Sequence, residues 1–108
     1  MVRDLRCVEL AASLDGDDPI VILDVRESGE FEICAIDGAI HIPLGELAGR
    51  LDELDANRPV AVLCHHGVRS RHGGMLLEAN GFKDVFNVTG GIDVWALEIA
   101  PDMPRYDW

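Results

Sequence analysis

The sequence predicts an α/β three-layer sandwich, a mainly parallel sheet of about five strands flanked by helices. Two observations carry this. Short aliphatic runs recur at 20–23, 39–42, 60–63 and 85–88, each without polar alternation, as in strands covered on both faces. Helical spacing of apolar residues fills the stretches between them, and strands alternating with helices build parallel sheets. With 108 residues, 48% of them hydrophobic, the chain is long enough for a single domain over 1–108 whose core needs neither disulfide nor metal.

In chain order, the first helix is expected from about Cys7 to Leu14, and Ile20-Val21-Ile22-Leu23 follows as a buried strand. Ala39 to Ile42 is the next strand. The most regular helix is predicted to start at Pro43, a favourable first helical residue. It places Leu44, Leu47, Ala48, Leu51 and Leu54 on one stripe, with Glu46, Arg50, Asp52 and Glu53 outside. Val60 to Leu63 is a strand, followed by a helix from about Arg69 to Asn80 that stops before Gly81. Gly73 and Gly74 inside that helix predict either weak helix formation or close packing. Val85 to Val88 is the last strand, and a helix from about Ile92 to Ile99 carries Trp95 as a core anchor. Residues 101–108 read as an irregular tail in which Tyr106 and Trp108 either fold back or meet a partner.

Nine Lys and Arg against twenty Asp and Glu leave a net charge of −11, which repels phosphate backbones and anionic lipids. Nucleic acid and membrane are therefore not expected partners. No aliphatic run is long enough to span a bilayer, and with no apolar stretch behind Met1-Val2-Arg3-Asp4 no export is expected. Cys7, Cys34 and Cys64 form an odd, sparse set without Cys-x-x-Cys, which argues against a disulfide framework and a zinc ribbon and for a reducing cytoplasm.

Ligand sites in parallel sheets gather at the carboxyl ends of strands. There the strand Val60-Ala61-Val62-Leu63 runs into Cys64-His65-His66-Gly67-Val68-Arg69-Ser70. A thiol at that point faces the amides of a tight loop and the positive end of a helix, a setting that favours a nucleophilic sulfur. Gly67 lets the loop turn back, Arg69 is expected to hold loop carbonyls or face an anionic substrate, and Ser70 adds a hydroxyl at the helix start. The competing reading is that Cys64 only fills the end of the sheet. His65 and His66 either line the pocket mouth or serve acid–base chemistry. As adjacent residues their side chains are expected to diverge, which disfavours joint metal ligation, so no metal site is expected. Asp24 and Arg26 end a strand at the same sheet edge, either tuning the cleft or, the preferred reading, forming a buried ion pair that fixes the neighbouring loops. Cys34 is a resolving thiol for Cys64 or inert packing, and Cys7 is structural.

The segment Cys64-x-x-Gly67-x-Arg69-Ser70 resembles the active loop of the rhodanese-like domains. Three further blocks extend the resemblance over nearly the whole chain: Ile22 to Glu27 with Glu30-Phe31, Gly38 to Leu44, and Gly81-Phe82 with Asn87 to Ile92 and Trp95. The chain departs from the family where Gly-His-Ile-Pro-Gly-Ala is common, having Cys34-Ala35-Ile36-Asp37-Gly38-Ala39. The resemblance implies a rhodanese-like fold and a sulfurtransferase in which Cys64 takes a sulfane sulfur from thiosulfate or a persulfide such as glutathione persulfide. Cys64 would hold it as a persulfide and pass it to a thiol or cyanide. The resemblance makes Cys64 and Arg69 catalytic and His65, His66, Gly67, Val68 and Ser70 the persulfide-binding loop, while Asp24 and Arg26, from their place at the strand end, are expected as supporting residues. It implies no cofactor beyond the covalent persulfide.

Cys-x4-Arg is one residue shorter than the Cys-x5-Arg loop of the related phosphatases, so a phosphatase is the weaker reading. A persulfide carrier serving a sulfur-acceptor protein is the alternative, favoured by the likeness of Pro104-Arg105-Tyr106 to the ends of rhodanese domains fused to proteins that handle ubiquitin-like sulfur carriers. Neutral imidazoles after the cysteine and the −11 charge predict modest affinity for thiosulfate.

Overall fold

The computed structural model describes residues 1–107. Its sheet consists of β1 (Arg3–Leu5), β2 (Val21–Asp24), β3 (Ile40–His41), β4 (Val60–Leu63) and β5 (Val85–Val88), in the order β1-β5-β4-β2-β3. All four strand pairings are parallel, so every connection must cross a face of the sheet. The crossing elements are α1 (Cys7–Leu14), α2 (Ser28–Ile33), α3 (Leu44–Leu47) and α4 (Val68–Ala79), and α5 (Gly91–Glu98) follows β5. Among the described residues no helix is long and apolar enough to cross a membrane.

Side-chain alternation along β4 divides the interior into two cores. Ala61 and Leu63 face Cys7 and Leu10 of α1 and Ile92 and Trp95 of α5. Val60 and Val62 face Leu47 of α3, Leu77 of α4, and Phe82. The expected α/β sandwich is therefore what forms, with every residue of β4 buried. The chain runs outward from β2 to β3 and then back to β4, so the strand order reverses between β2 and β4. Parallel sheets open a crevice at such a reversal, beyond the carboxyl ends of the two strands. Cys64 follows β4 and Arg26 follows β2, so both stand at that crevice.

Three elements differ from expectation. The helix predicted from Pro43 to Leu54 is instead the single turn α3, followed by a 3-10 turn at Leu51–Glu53. Gly45 and Gly49 weaken helical continuity, and Arg50 leaves helical geometry at φ −129° and ψ 21°. Pro43 caps α3 in an extended conformation and is not its first residue. Leu44, Leu47, Leu51 and Leu54 nevertheless all reach the same core, because irregular turns deliver the stripe as well as a helix would. β1 is an exposed edge strand, Arg-Asp-Leu, with no apolar run to announce it; its backbone pairs with β5, Leu5 opposite Val88. The six-residue α2 is too short to show a period, and its start is set by a capping box between Glu27 and Glu30.

The glycines inside α4 serve close packing, as a Cβ on Gly74 would come within 3.1–3.2 Å of Val2 and Val85. Gly91 carries a more stringent constraint. It adopts φ +61°, and a Cβ there would overlap the carbonyl oxygens of His65 and Cys64. Without one, α5 approaches closely enough for the Ile92 amide to donate to the Cys64 carbonyl at 2.9 Å and the Asp93 amide to the His65 carbonyl at 3.2 Å. Two predictions follow for denaturant unfolding. Gly91→Ala should lower stability by about 3 kcal/mol or more, because backbone has to move. Gly81→Ala, at φ +90° with open space around it, should lose only the left-handed penalty of about 1–2 kcal/mol.

Candidate active site

Cys64 leaves the central strand with 1% of its surface exposed, and the chain then turns through Gly67, at φ +106°, into α4. This turn points the Gly67 N–H at Cys64 Sγ, 3.1 Å away. The Cys64 thiol donates to Ser70 Oγ at 3.3 Å. Ser70, in the first turn of α4, donates in turn to Asn87 Oδ1 on β5, and Asn87 Nδ2 donates to the Gly67 carbonyl at 3.1 Å. Cys64, Ser70, Asn87 and Gly67 thus close a ring of hydrogen bonds in which Ser70 and Asn87 are almost wholly buried. From the other side the amides of α5 hold the Cys64 and His65 carbonyls. The sulfur faces an oriented donor on a loop fixed at both ends, an arrangement suited to a nucleophile that carries negative charge.

Arg69 does not hold the loop carbonyls. Its Nη1 and Nη2 donate to the two oxygens of Glu30 at 2.6 and 2.7 Å, the parallel fork typical of guanidinium with carboxylate. Tyr106 donates to the same carboxylate at 2.7 Å and accepts from Arg26 Nη1 at 3.1 Å. Arg26 is bound to Asp24 through Nε and Nη2, and both side chains are fully buried. It also donates to the carbonyls of Glu30 and Cys34 at 3.2 and 2.8 Å. Asp24, Arg26, Tyr106, Glu30 and Arg69 therefore form one polar chain from the end of β2, through α2 and the tail, to the first turn of α4.

The imidazoles of His65 and His66 do not diverge. Their ring centroids are 3.9 Å apart, and the Tyr106 ring stacks on His65 at 3.9 Å and 16°. Arg105 pairs with Asp93 at 3.0 Å, so the tail folds back over the loop at two points. Trp108 lies outside the described residues. Val68 is exposed and makes no part of the sulfur's surroundings that hydrogen bonding defines. Cys34 packs in the core of α1 and α5, whereas Cys64 belongs to the opposite core, so the resolving-thiol arrangement is not what the fold forms. Cys7 is buried and pushed up to about 11 by its burial and by Glu98, an unreactive setting. Among the described residues no three His, Cys, Asp or Glu side chains gather as a metal would require.

Sequence reasoning missed Glu30 and Asn87. Asn87 had a signal, as the one polar residue in the run Val85-Phe86-Asn87-Val88. Glu30 had only its place beside Phe31, because its partners lie 39 and 76 positions away.

Burial raises the Glu30 carboxyl, but hydrogen bonds from Arg69, Tyr106 and the Glu27 amide outweigh it and bring the group down to about 2. Burial lifts Tyr106 to about 12, so its hydroxyl remains a donor. Because the folded value of Glu30 lies below the ordinary 4.5, its contribution is complete above about 4.5 and is lost as the pH falls toward about 2. Urea midpoints should therefore drop more steeply across that window for the wild type than for Glu30→Gln. At neutral pH the variant should be less stable by about 1.5–3 kcal/mol.

The rhodanese-like domain profile matches residues 7–98. YrkF of Bacillus subtilis, named as a candidate sulfur carrier protein, is 43% identical over 82 residues, which cover 76% of this chain and 44% of YrkF. The chain thus spans less than half the length of that relative. The thiosulfate sulfurtransferase GlpE of Shewanella oneidensis is 34% identical over 76 residues, 70% of this chain and 75% of GlpE. The crystal structure of a rhodanese-like domain protein from Staphylococcus aureus superposes with a TM-score of 0.83 at 33% identity, covering 87% of this chain and 91% of that one. Strand order, the loop after β4 and these likenesses over most of the chain agree, and the chain belongs to the rhodanese-like domain family.

Proposed function

We propose that the chain is a sulfurtransferase that moves a sulfane sulfur from a donor to a thiol or cyanide through a persulfide on Cys64. The observation carrying this reading is the Cys64 sulfur at the carboxyl end of the central strand, with the Gly67 N–H aimed at it from 3.1 Å. Likeness to GlpE, a thiosulfate sulfurtransferase, supports it. In the first step the Cys64 thiolate attacks the outer sulfur of a donor R–S–SH. The donor S–S bond breaks, RS⁻ leaves with the bonding pair, and Cys64–S–SH remains. With thiosulfate the leaving group is sulfite. An acceptor thiolate or cyanide then attacks the outer sulfur and restores the Cys64 thiolate, so no external oxidant or reductant enters. The reading assigns the activity to a reducing compartment such as the cytoplasm, where Cys64 stays free of disulfides.

Donor choice follows from the charges. Arg69 is engaged by Glu30 and Arg26 by Asp24, so neither guanidinium is spare to hold a dianion. The net charge of −11 also opposes approach of thiosulfate. A persulfide on a thiol, carrying less charge at its reacting end, is the better donor. A carrier that hands one sulfur to a particular acceptor protein is the second reading, favoured by the 43% identity to YrkF.

Intact-protein mass spectrometry tests the main reading. Incubation with glutathione persulfide should add one sulfur, about 32 Da, in wild type and not in Cys64→Ser, and cyanide should remove it. No gain with either donor would sink the proposal. Continuous turnover with free donor and cyanide separates the enzyme from the carrier, which stops at one equivalent. In steady state the Michaelis constant should be lower for glutathione persulfide than for thiosulfate at equal ionic strength, and added salt should narrow the gap by screening. The reverse order would remove the argument from charge.

A further inference from the structure

Asn87 stands in β5 opposite Val62 of β4, 3% exposed, in a strand otherwise built of Val and Phe. An apolar residue would suit that place, since a buried amide costs stability unless both of its ends are bonded. Both are. Oδ1 accepts from the Ser70 hydroxyl, and Nδ2 donates to the Gly67 carbonyl at 3.1 Å. These two residues are also the ones whose polar groups reach the Cys64 sulfur, Gly67 through its N–H at 3.1 Å and Ser70 through Oγ at 3.3 Å. Gly67 has no side chain to pack it in its left-handed conformation, so the peptide planes that meet there are held by hydrogen bonds.

We propose that Asn87 is a positioning residue for the Cys64 nucleophile: it holds the Gly67 N–H and the Ser70 hydroxyl at hydrogen-bond distance from the sulfur without touching the sulfur itself. The link to sulfur transfer rests on the function proposed above, while the positioning concerns the thiol alone. A sulfur anion, thiolate or persulfide, depends on donors that stay in place. When Asn87 is lost, the Gly67 carbonyl loses its anchor, the loop amide wanders, and the anion loses its partner.

The test is the pH profile of Cys64 alkylation by iodoacetamide, followed peptide by peptide so that each cysteine reports separately. Asn87→Leu keeps the size and removes both hydrogen bonds. It should move the Cys64 profile to higher pH by about one unit, a tenfold fall in reactivity at a fixed pH below the midpoint. Asn87→Thr, with a hydroxyl and a strand-favouring branch, should fall between it and the wild type. Ser70→Ala combined with Asn87→Leu should shift the profile by less than the two single shifts together, because both act through one network. A profile that does not move overturns the proposal. So does one that moves to lower pH, the result expected if the freed Ser70 hydroxyl simply turned to the sulfur. Cys7, whose thiol burial and Glu98 push up to about 11, is the control for opening of the fold. If it becomes reactive in Asn87→Leu, Asn87→Thr decides by the same criterion. Persulfide formation by the wild type is read separately by mass, so its failure counts against the sulfurtransferase while the alkylation profile still judges Asn87.

Discussion

The close approach of α5 to the loop after β4 is the contact on which the site depends. Two consecutive carbonyls, of Cys64 and His65, end a buried strand and need donors. They receive them from the Ile92 and Asp93 amides, which are available because helix starts leave their first N–H groups unpaired. The approach is possible only because Gly91 has no Cβ. Once those carbonyls are fixed, the next peptides have little freedom, and the Gly67 amide comes to rest against the sulfur. A structural requirement at the start of one helix thereby sets the surroundings of the Cys64 sulfur at the start of another.

A second set of interactions governs charge. The chain carries a net −11, yet its site contains two arginines, each held by a carboxylate beside it. For Arg26 the pairing is obligatory, since a fully buried guanidinium without Asp24 would carry a large desolvation cost. For Arg69, about a third exposed, the pairing is a matter of geometry: Tyr106 and the Glu27 amide also hold Glu30. The loop therefore offers the sulfur a hydrogen bond from a neutral amide and little free positive charge. This separates it from anion cradles built on arginine.

The tail belongs to the same design. Tyr106 connects Glu30 and Arg26 and lies flat on His65, while Arg105 reaches Asp93 in α5. Each contact ends on an element that itself contacts the Cys64 loop. The tail thus ties α2, the end of β2 and the start of α5 together around the site.

Period and composition were enough to determine the four apolar strands, three of the helices and the parallel sheet, and the loop motif at fixed spacing drew attention to Cys64, because each is a local pattern. Buried strands must be apolar on both faces, and a cysteine ending one of them, followed by a glycine that can turn, is visible without coordinates. The failures have a common cause. The stripe from Leu44 to Leu54 meets its core through broken turns, since burial constrains where leucines end up and not how the backbone brings them there. β1 exists because β5 has an edge to offer it, and nothing within Arg3–Leu5 could announce that. Arg69 turns to Glu30, His65 stacks on Tyr106, and Asn87 ties Gly67 to Ser70, all through partners far apart in the chain. The sequence by itself determined which cysteine ends the central strand and on what scaffold it stands. Only the tertiary structure decided which neighbours face it, because hydrogen-bond and ion-pair partners are chosen by position in space, which chain order does not encode.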